Sequence, residues 1–521
     1  MKPEYDAVVI GCGAAGAAAA WRLASRGLSV LVLEQGGHVD RATSPALGHD
    51  WEAALQSRFH PDPGVRQGAH DYPVVADDTP IRPALFNAVG GGTVRWGAHF
   101  PRLRPADFRT HSLDGVGADW PIAYADLEQW FALNDRIMGV AGLAGDPANP
   151  PRAARPMPPL PLGPGPTRLA EAFNRLGWHW WPADSAIATT PYDGRGACNH
   201  CGPCGLPCVP GARGDAAIAY VPRLLAAGAR LETQARVLAV APDAQRVTWR
   251  QGGVTHHTPT RAVVLAANGM GSARLLLANG LANGSGLVGR GLMHHPTAIV
   301  TGRFAERLDG HKGPFACALF SQHFIEHDSA RGFARGYQLQ ALRGGGPVQT
   351  ALGGYMARLP WGRTHHALFE ATFAHSVSLT VTAEDFPEDS NCVTLDPRLT
   401  DSDGLPAPCL HYRVSENSRR MLDHGILRAT EVLREAGAQD VFVNPLASAA
   451  GFHFLGTARM GNDPKTSVTD AECRAHEMPN LVVPDGSVFV TAGAVNPTST
   501  IQAIALRAAD ALATRLRARP A

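Results

Sequence analysis

Four cysteines lie close together in one short stretch of this sequence. Cys198, Cys201, Cys204 and Cys208 follow the spacing C-x2-C-x2-C-x3-C in CNHCGPCGLPCVP. The spacing is typical of iron–sulfur clusters in bacterial ferredoxins, where proline follows the last cysteine directly, whereas here Val209 intervenes. Zinc usually needs two C-x2-C pairs roughly 15–20 residues apart, and disulfides between such near neighbours would be strained. We expect an iron–sulfur cluster in this loop, with structural thiols or zinc as the open alternative.

A glycine-rich motif near the N-terminus has the form that binds a dinucleotide. The strand-forming Val8–Ile10 leads into Gly11-x-Gly13-x-x-Gly16, then a helix-forming stretch and a second strand that ends in Glu34. The glycines let the backbone approach a pyrophosphate at the helix N-terminus, and the acid would hydrogen-bond a ribose diol. The complete strand–helix–strand context makes this a stronger signal than the glycines alone.

Several stretches of the chain resemble the glucose-methanol-choline (GMC) oxidoreductases, which are FAD enzymes. The C-terminal segment from Gly451 to Ala513, with GFHFLGTARMG and AVNPTST, is most similar to the version in pyranose oxidases. The stretches VGGGTVRWGAHF (89–100), LETQARVLAVA (231–241) and LVGRGLMHHP (287–296) resemble further family motifs. The resemblance covers most of the chain and implies that the glycine-rich motif binds FAD.

The same resemblance implies a catalytic pair and a set of flavin contacts. His453 matches the active-site histidine of the family, and Asn496 matches its second active-site position, which is His or Asn across the family. Other matching positions are implied to contact FAD, and these are Gly91, Gly92, Thr93, Trp96, Val237, Asp485 and Gly486. In pyranose oxidases a histidine beside the loop tryptophan carries the flavin covalently, but Arg95 stands there in this chain. We therefore expect non-covalent FAD.

Alcohol oxidation removes a hydroxyl proton and a hydride, so it needs a base near the oxygen and an acceptor facing the carbon. His453 suits the base because the ordinary pKa of imidazole, ~6.5, is near working pH. Asn496 can donate to the developing alkoxide, and flavin N5 would take the hydride. We expect an FAD-dependent dehydrogenase that oxidises an alcohol group of a sugar or glycoside. The alternatives are an oxygen-using oxidase with a structural cysteine loop, and a flavoprotein that acts as a lyase or a binding protein.

The resemblance also bears on the cysteines. Bacterial FAD-dependent glucose dehydrogenase catalytic subunits have a cysteine-rich insert at this point, and Cys198, Cys204 and Cys208 match its ligand spacing, with Cys201 as an extra. This implies a cluster that passes electrons to an external acceptor such as a cytochrome. Long-chain alcohol oxidases have a similar cysteine-rich stretch, from which a cluster does not follow. The two other histidine pairs, His294–His295 and His365–His366, are interpreted as structural.

Composition argues against several partners. Lys plus Arg number 47 and Asp plus Glu 46, so no basic surface is expected to bind nucleic acid or an anionic membrane. The start, MKPEYDAVVIG, lacks the features of a signal peptide, and the apolar run Ala14–Ala20 is too short to span a bilayer. We expect a cytoplasmic protein, with periplasmic export alongside a signal-bearing partner subunit as the alternative.

These motifs require a particular arrangement of elements. The expected fold is α/β: a Rossmann-type FAD-binding domain assembled from discontinuous segments, and an α+β substrate domain with an antiparallel sheet that includes HSVSLTVTA. The proline-rich stretch 147–166 is expected to be extended and to exclude helix. The expected FAD-binding segments, which contain the cysteine-rich loop 198–210, are 1–115, 190–300 and 450–521. The expected substrate domain and its connections are 116–189 and 301–449.

Overall fold

The computed structural model describes residues 4–48, 51–52, 71–354 and 361–518. The strands are β1 (Ala7–Ile10), β2 (Val30–Leu33), β3 (Val75–Asp78), β4 (Trp181–Pro182), β5 (Arg230–Glu232), β6 (Arg236–Val240), β7 (Arg246–Gln251), β8 (Val254–Pro259), β9 (Val263–Leu265), β10 (Thr297–Arg303), β11 (Leu319–Ser321), β12 (Tyr337–Arg343), β13 (Ser376–Ala383), β14 (Cys392–Thr400), β15 (Pro406–His411), β16 (Asp440–Asn444) and β17 (Leu481–Val482). The helices are α1 (Ala14–Ser25), α2 (Thr110–Asp114), α3 (Tyr124–Met138), α4 (Pro164–Leu176), α5 (Ala216–Ala219), α6 (Val221–Ala226), α7 (Asn268–Asn279), α8 (Pro347–Ala351), α9 (Thr364–Thr372), α10 (Glu416–Glu435) and α11 (Thr498–Ala518).

A five-stranded parallel sheet, in the order β17-β9-β1-β2-β5, carries the glycine-rich motif. Strands β1 and β2 read AVVI and VLVL and are buried throughout, as parallel strands covered on both faces must be. Helix α1 packs against α11 through a run of buried alanines, whose small side chains allow close approach. Arg22 and Arg26 at its C-terminal end both bond to Asp510 Oδ1, at 2.6 and 2.8 Å. The expected Rossmann-type unit is confirmed.

A six-stranded antiparallel sheet forms the second layer, in the order β16-β10-β13-β12-β11-β4. Strand β13 alternates between two buried environments: Val377, Leu379 and Val381 pack into an apolar core with α4 and α10, whereas Thr380 and Thr382 line a cavity on the other face. Alternation with period two is what a strand between a core and a polar cavity requires. The expected antiparallel sheet is therefore present.

The proline-rich stretch was predicted correctly except at its end. Residues 151–163 are irregular apart from one isolated bridge, but helix α4 begins at Pro164. Proline fits the first turn of a helix because the backbone N–H that it lacks would have no intrahelical partner there. Within the described ranges, none of the helices is both long and apolar enough to cross a bilayer.

Candidate active site

One large cavity, of about 1010 Å³, joins the two sheets. On one side it is lined by Ile10 and Leu33, the last residues of β1 and β2, and by Ala266 just after β9. On the other side it is lined by polar side chains of the antiparallel sheet. Ligands of open α/β sheets bind outside the carboxyl ends of the parallel strands, so the cavity lies where that rule places a ligand.

The glycine-rich motif forms a backbone cradle at the first end of the cavity. Gly11 has φ +93°, and a Cβ there would lie 2.6 Å from the Ala266 carbonyl oxygen. A Cβ on Gly16 would overlap the Gly11 carbonyl, so this glycine lets α1 pack on β1. Gly13 differs, because the nearest atom to its Cβ position is Gly91 Cα at 3.9 Å and the residue faces the cavity. The space before the N-terminus of α1 therefore stays open for an anionic ligand.

Glu34 lies at the end of β2, as expected for the acid of this motif. Its carboxylate is buried and accepts hydrogen bonds from the Cys12 N–H at 2.8 Å and the Gly36 N–H at 2.9 Å. Burial raises the pKa of Glu34 above its ordinary value. The side chain lines the cavity, and its contact with a ribose stays a prediction.

The second glycine-rich loop lies directly against the first. A Cβ on Gly91 would come within 3.0 Å of Gly13 Cα, and Gly92 has no neighbour that a Cβ would touch. Thr93 Oγ1 accepts a hydrogen bond from the Ala216 N–H at 3.0 Å, and Trp96 Nε1 donates to the Gly214 carbonyl at 3.0 Å. These bonds fix the loop so that the four expected positions, Gly91, Gly92, Thr93 and Trp96, all line the cavity.

Asp485, Gly486 and Val237 also line the cavity. Asp485 accepts hydrogen bonds from Ser272 Oγ at 2.6 Å and from the Ser487 N–H at 2.9 Å, and burial raises the pKa of its carboxyl. A Cβ on Gly486 would lie 2.7 Å from the Phe454 carbonyl oxygen, so glycine is required for close packing there. Together with the two glycine-rich loops, these residues line one continuous groove. Its glycines leave the backbone accessible, and this groove fits FAD.

His453 and Asn496 come together in the same cavity. His453 Nδ1 lies 3.0 Å from His295 Nδ1, and His295 Nε2 lies 2.6 Å from the Gly493 carbonyl oxygen. Burial lowers the pKa of His453 well below its ordinary value, helped by His295 and His294, and burial lowers the pKa of His295 to about 4. Both imidazoles are therefore neutral near pH 7. The amide oxygen of Asn496 is buried and has no partner in the part of the chain that is described.

His295 was interpreted from the sequence as structural, but it lies in the cavity against His453. Its neighbour His294 does pack as a structural ring, edge-on to Tyr412 and Phe454. His365 and His366 lie on α9 and do not line the cavity. Nothing in the letters His-His-Pro tells which ring faces inward, because the direction is set by the backbone after Met293.

Sequence reasoning also missed the polar lining beyond the FAD groove. His99 follows the flavin loop, and His311 lies in the connection between β10 and β11. The sheet contributes hydroxyl and amide groups, from Thr297, Gln340, Thr380, Thr382 and Asn444. The alternating threonines in SLTVTA were the available signal, since a polar residue at every second position indicates a strand with one polar face.

The cysteine-rich loop borders the cavity through Gly202, Cys204 and Gly205. Arg213 holds it to the flavin loop by donating to the carbonyls of Trp96 at 2.9 Å and Leu206 at 3.1 Å. Burial raises the pKa of Cys204 to about 12. Among the residues that the structure describes, which include all four thiols, no group of three or more Cys, His, Asp or Glu is arranged to hold a metal. The described residues therefore give no support to the expected iron–sulfur cluster, which stays a prediction.

Comparison with known proteins gives matches along the chain. Two family models described as GMC oxidoreductase match residues 169–297 and 387–505, and one described as FAD dependent oxidoreductase matches 6–56. The chain is 39% identical to 2-methyl-1,2-propanediol dehydrogenase of Mycolicibacterium austroafricanum, over 98% of this chain and 96% of that protein. It is 30% identical to the fructose dehydrogenase large subunit of Gluconobacter japonicus, over 98% of both. The fold resembles pyridoxine 4-oxidase from Mesorbium loti, with TM-score 0.66, 16% identity and coverage of 99% and 100%.

Proposed function

Because this chain belongs to the glucose-methanol-choline oxidoreductases, FAD-dependent enzymes that act on CH–OH donors, we propose that it oxidises an alcohol group of a sugar or glycoside with His453 as the base. The observation that carries this proposal is that His453 and Asn496 line the same cavity, where the buried amide oxygen of Asn496 has no partner among the described residues. FAD, when bound, supplies the hydride acceptor.

The chain itself moves the proton. A neutral imidazole can accept the hydroxyl proton of the substrate, and a lowered pKa keeps it ready to do so near pH 7. With Nδ1 against His295, the nitrogen of His453 that can face a substrate is Nε2. The Asn496 amide can hydrogen-bond the same substrate oxygen, which would hold it near the base.

The proposed substrate class rests on the polar wall opposite the FAD groove. Threonine hydroxyls and the amides of Gln340 and Asn444 give a surface suited to a molecule with several hydroxyl groups. The names of the two relatives, a propanediol dehydrogenase and a fructose dehydrogenase, support the same class. We therefore propose a polyhydroxylated substrate such as a sugar, a glycoside or a short polyol.

We propose an external electron acceptor, with a cytochrome as the partner to test, because both relatives are named dehydrogenases. An iron–sulfur cluster held by Cys198, Cys201, Cys204 and Cys208 stays a prediction from the cysteine spacing and from the resemblance to glucose dehydrogenase subunits, and no electron step is assigned to these thiols. Iron and acid-labile sulfide in anaerobically purified protein would support the cluster. Finding neither would leave the cysteine loop structural.

The test is anaerobic addition of fructose, 2-methyl-1,2-propanediol and a panel of glycosides to the purified holoenzyme. Loss of the oxidised flavin absorbance with at least one of them is the expected result, whereas no bleaching with any alcohol would favour a lyase or a binding protein. Turnover in air then decides the acceptor. Reduction of a dye or a cytochrome without hydrogen peroxide supports the dehydrogenase, and stoichiometric peroxide supports the oxidase alternative.

A further inference from the structure

We propose that His295 is a positioning residue that sets the tautomer of His453, and that the contact of His295 with the Gly493 carbonyl sets the tautomer of His295 itself. This inference rests on the proposed role of His453 as the base. It concerns which ring nitrogen of His453 holds a proton before substrate binds.

The tautomers follow from the chain of contacts. A carbonyl oxygen can only accept, so the 2.6 Å contact with Gly493 requires that His295 Nε2 carries the proton. A neutral imidazole has one N–H, so His295 Nδ1 must be an acceptor. The 3.0 Å contact between the two Nδ1 atoms then requires that His453 Nδ1–H donates. His453 Nε2 is left unprotonated, which is the state that a base needs.

Neutrality of both rings is a condition of this argument, and the surroundings provide it. Burial lowers the pKa of His295 to about 4 and that of His453 well below its ordinary value. A protonated His295 would present an N–H at Nδ1 and could not accept from His453. The neutral pair has one donor and one acceptor at each contact.

The backbone around the Gly493 carbonyl is closely packed. Gly493 has φ +71°, in the left-handed region that favours glycine, and a Cβ there would overlap the side chain of Leu103. The preceding Ala492 N–H donates to the Asp385 carbonyl at 3.2 Å, which ties this turn to the chain after β13. Asn496 lies three residues further along. One backbone segment therefore anchors His295 and also carries the second side chain of the proposed site.

The arrangement also stabilises the proton after transfer. When His453 takes the substrate proton on Nε2 it becomes an imidazolium, and its Nδ1–H bond to His295 becomes charge-assisted. No net bond is made or broken between the two histidines. Without His295, His453 could place its single proton on Nε2 and present a donor, where a base is required, to the substrate hydroxyl.

Two substitutions of His295 test whether its role depends on the hydrogen-bond acceptor at Nδ1 or on the imidazole ring as a whole. In His295→Asn, Oδ1 can accept at nearly the place of the imidazole Nδ1, whereas His295→Leu removes the acceptor and keeps an apolar side chain of moderate size. His294→Leu is the matched control, because it replaces the adjacent buried histidine that packs on Tyr412 and Phe454. Retained FAD absorbance shows that each variant is folded.

The first readout is 15N NMR of histidine-labelled holoenzyme, with the His453 signals assigned by their loss in His453→Ala. We expect the Nδ1–H tautomer in the wild-type protein, in His295→Asn and in His294→Leu, and a shift toward Nε2–H in His295→Leu. The Nε2–H tautomer in the wild-type protein would overturn the inference, and this measurement needs no stable variant.

The second readout is the rate of anaerobic flavin reduction. We expect a loss of about 10- to 100-fold in His295→Leu, the range known for residues that orient metal-bound imidazoles, and partial rescue in His295→Asn. If His453→Ala reduces its flavin as fast as the wild type, the proposed function fails. If His453→Ala is inactive but His295→Leu keeps both the tautomer and the rate, only the inference about His295 fails.

Discussion

Arg95 Nε donates a hydrogen bond to the Gly205 carbonyl oxygen at 3.2 Å, which joins the flavin loop to the cysteine-rich loop. Arg95 occupies the position at which the pyranose oxidases, which this loop resembles, carry a histidine bonded to the flavin. Its guanidinium cannot form that bond, and it also lies over the ring of Phe86. The side chain at this position therefore joins two loops.

The flavin should consequently be held without a covalent bond. We expect intact FAD in the supernatant after acid or heat denaturation, with colourless precipitated protein, measured by absorbance and chromatography. Flavin that stays on the denatured polypeptide would contradict this prediction and would require another attachment residue.

FAD binding should depend on the empty space at Gly13. The substitution Gly13→Val places a side chain in the open cradle, so we expect purified protein with little bound FAD and little loss of fold. Gly11→Ala is the comparison, since φ +93° and the carbonyl of Ala266 at 2.6 Å make any Cβ strained. That variant should lose thermal stability even when FAD is absent. Full FAD occupancy in Gly13→Val would show that the pyrophosphate lies elsewhere.

Strand β13 offers a test of the polar substrate wall. Thr382→Val removes a hydroxyl that lines the cavity, and we expect KM to rise by about fivefold, because a hydrogen bond contributes about 1 kcal/mol. Val381→Ala, one residue earlier, changes the core face of the same strand. It should lower the unfolding temperature and leave KM unchanged. Equal KM values in Thr382→Val and the wild type would argue against a substrate hydroxyl at this point.

The pH dependence should reflect the buried imidazoles. A base with a lowered pKa stays neutral below pH 6.5, so the rate of flavin reduction should remain level from about pH 8 to about pH 6. The free energy of unfolding does depend on pH in this range. His295 in the unfolded chain takes up a proton near pH 6.5, whereas the folded protein keeps it neutral down to about pH 4. Stability should fall as pH drops through that window. A rate that halves near pH 6.5 would mean that the base titrates as an exposed histidine.

Part of this structure could be predicted from the sequence because short-range signals define it. The glycine motif, the buried strands AVVI and VLVL and the alternation in SVSLTVTA each specify local geometry, and all occur as expected. His295 could not be predicted as a neighbour of His453, since 158 residues separate them and their contact depends on the packing of two loops. The four cysteines have a familiar spacing, but spacing alone does not fix the directions of the thiols. The domain boundaries at 115, 190, 300 and 450 stay a prediction.

The role of His453 is tested most directly by the anaerobic rate of flavin reduction in His453→Ala, with a substrate that bleaches the wild-type enzyme. We predict retained FAD and a loss of about 10²- to 10⁴-fold, the range for a general base, with a smaller loss in the same step for Asn496→Ala. A rate near that of the wild type in His453→Ala would contradict the assignment and place the base on another residue of the cavity.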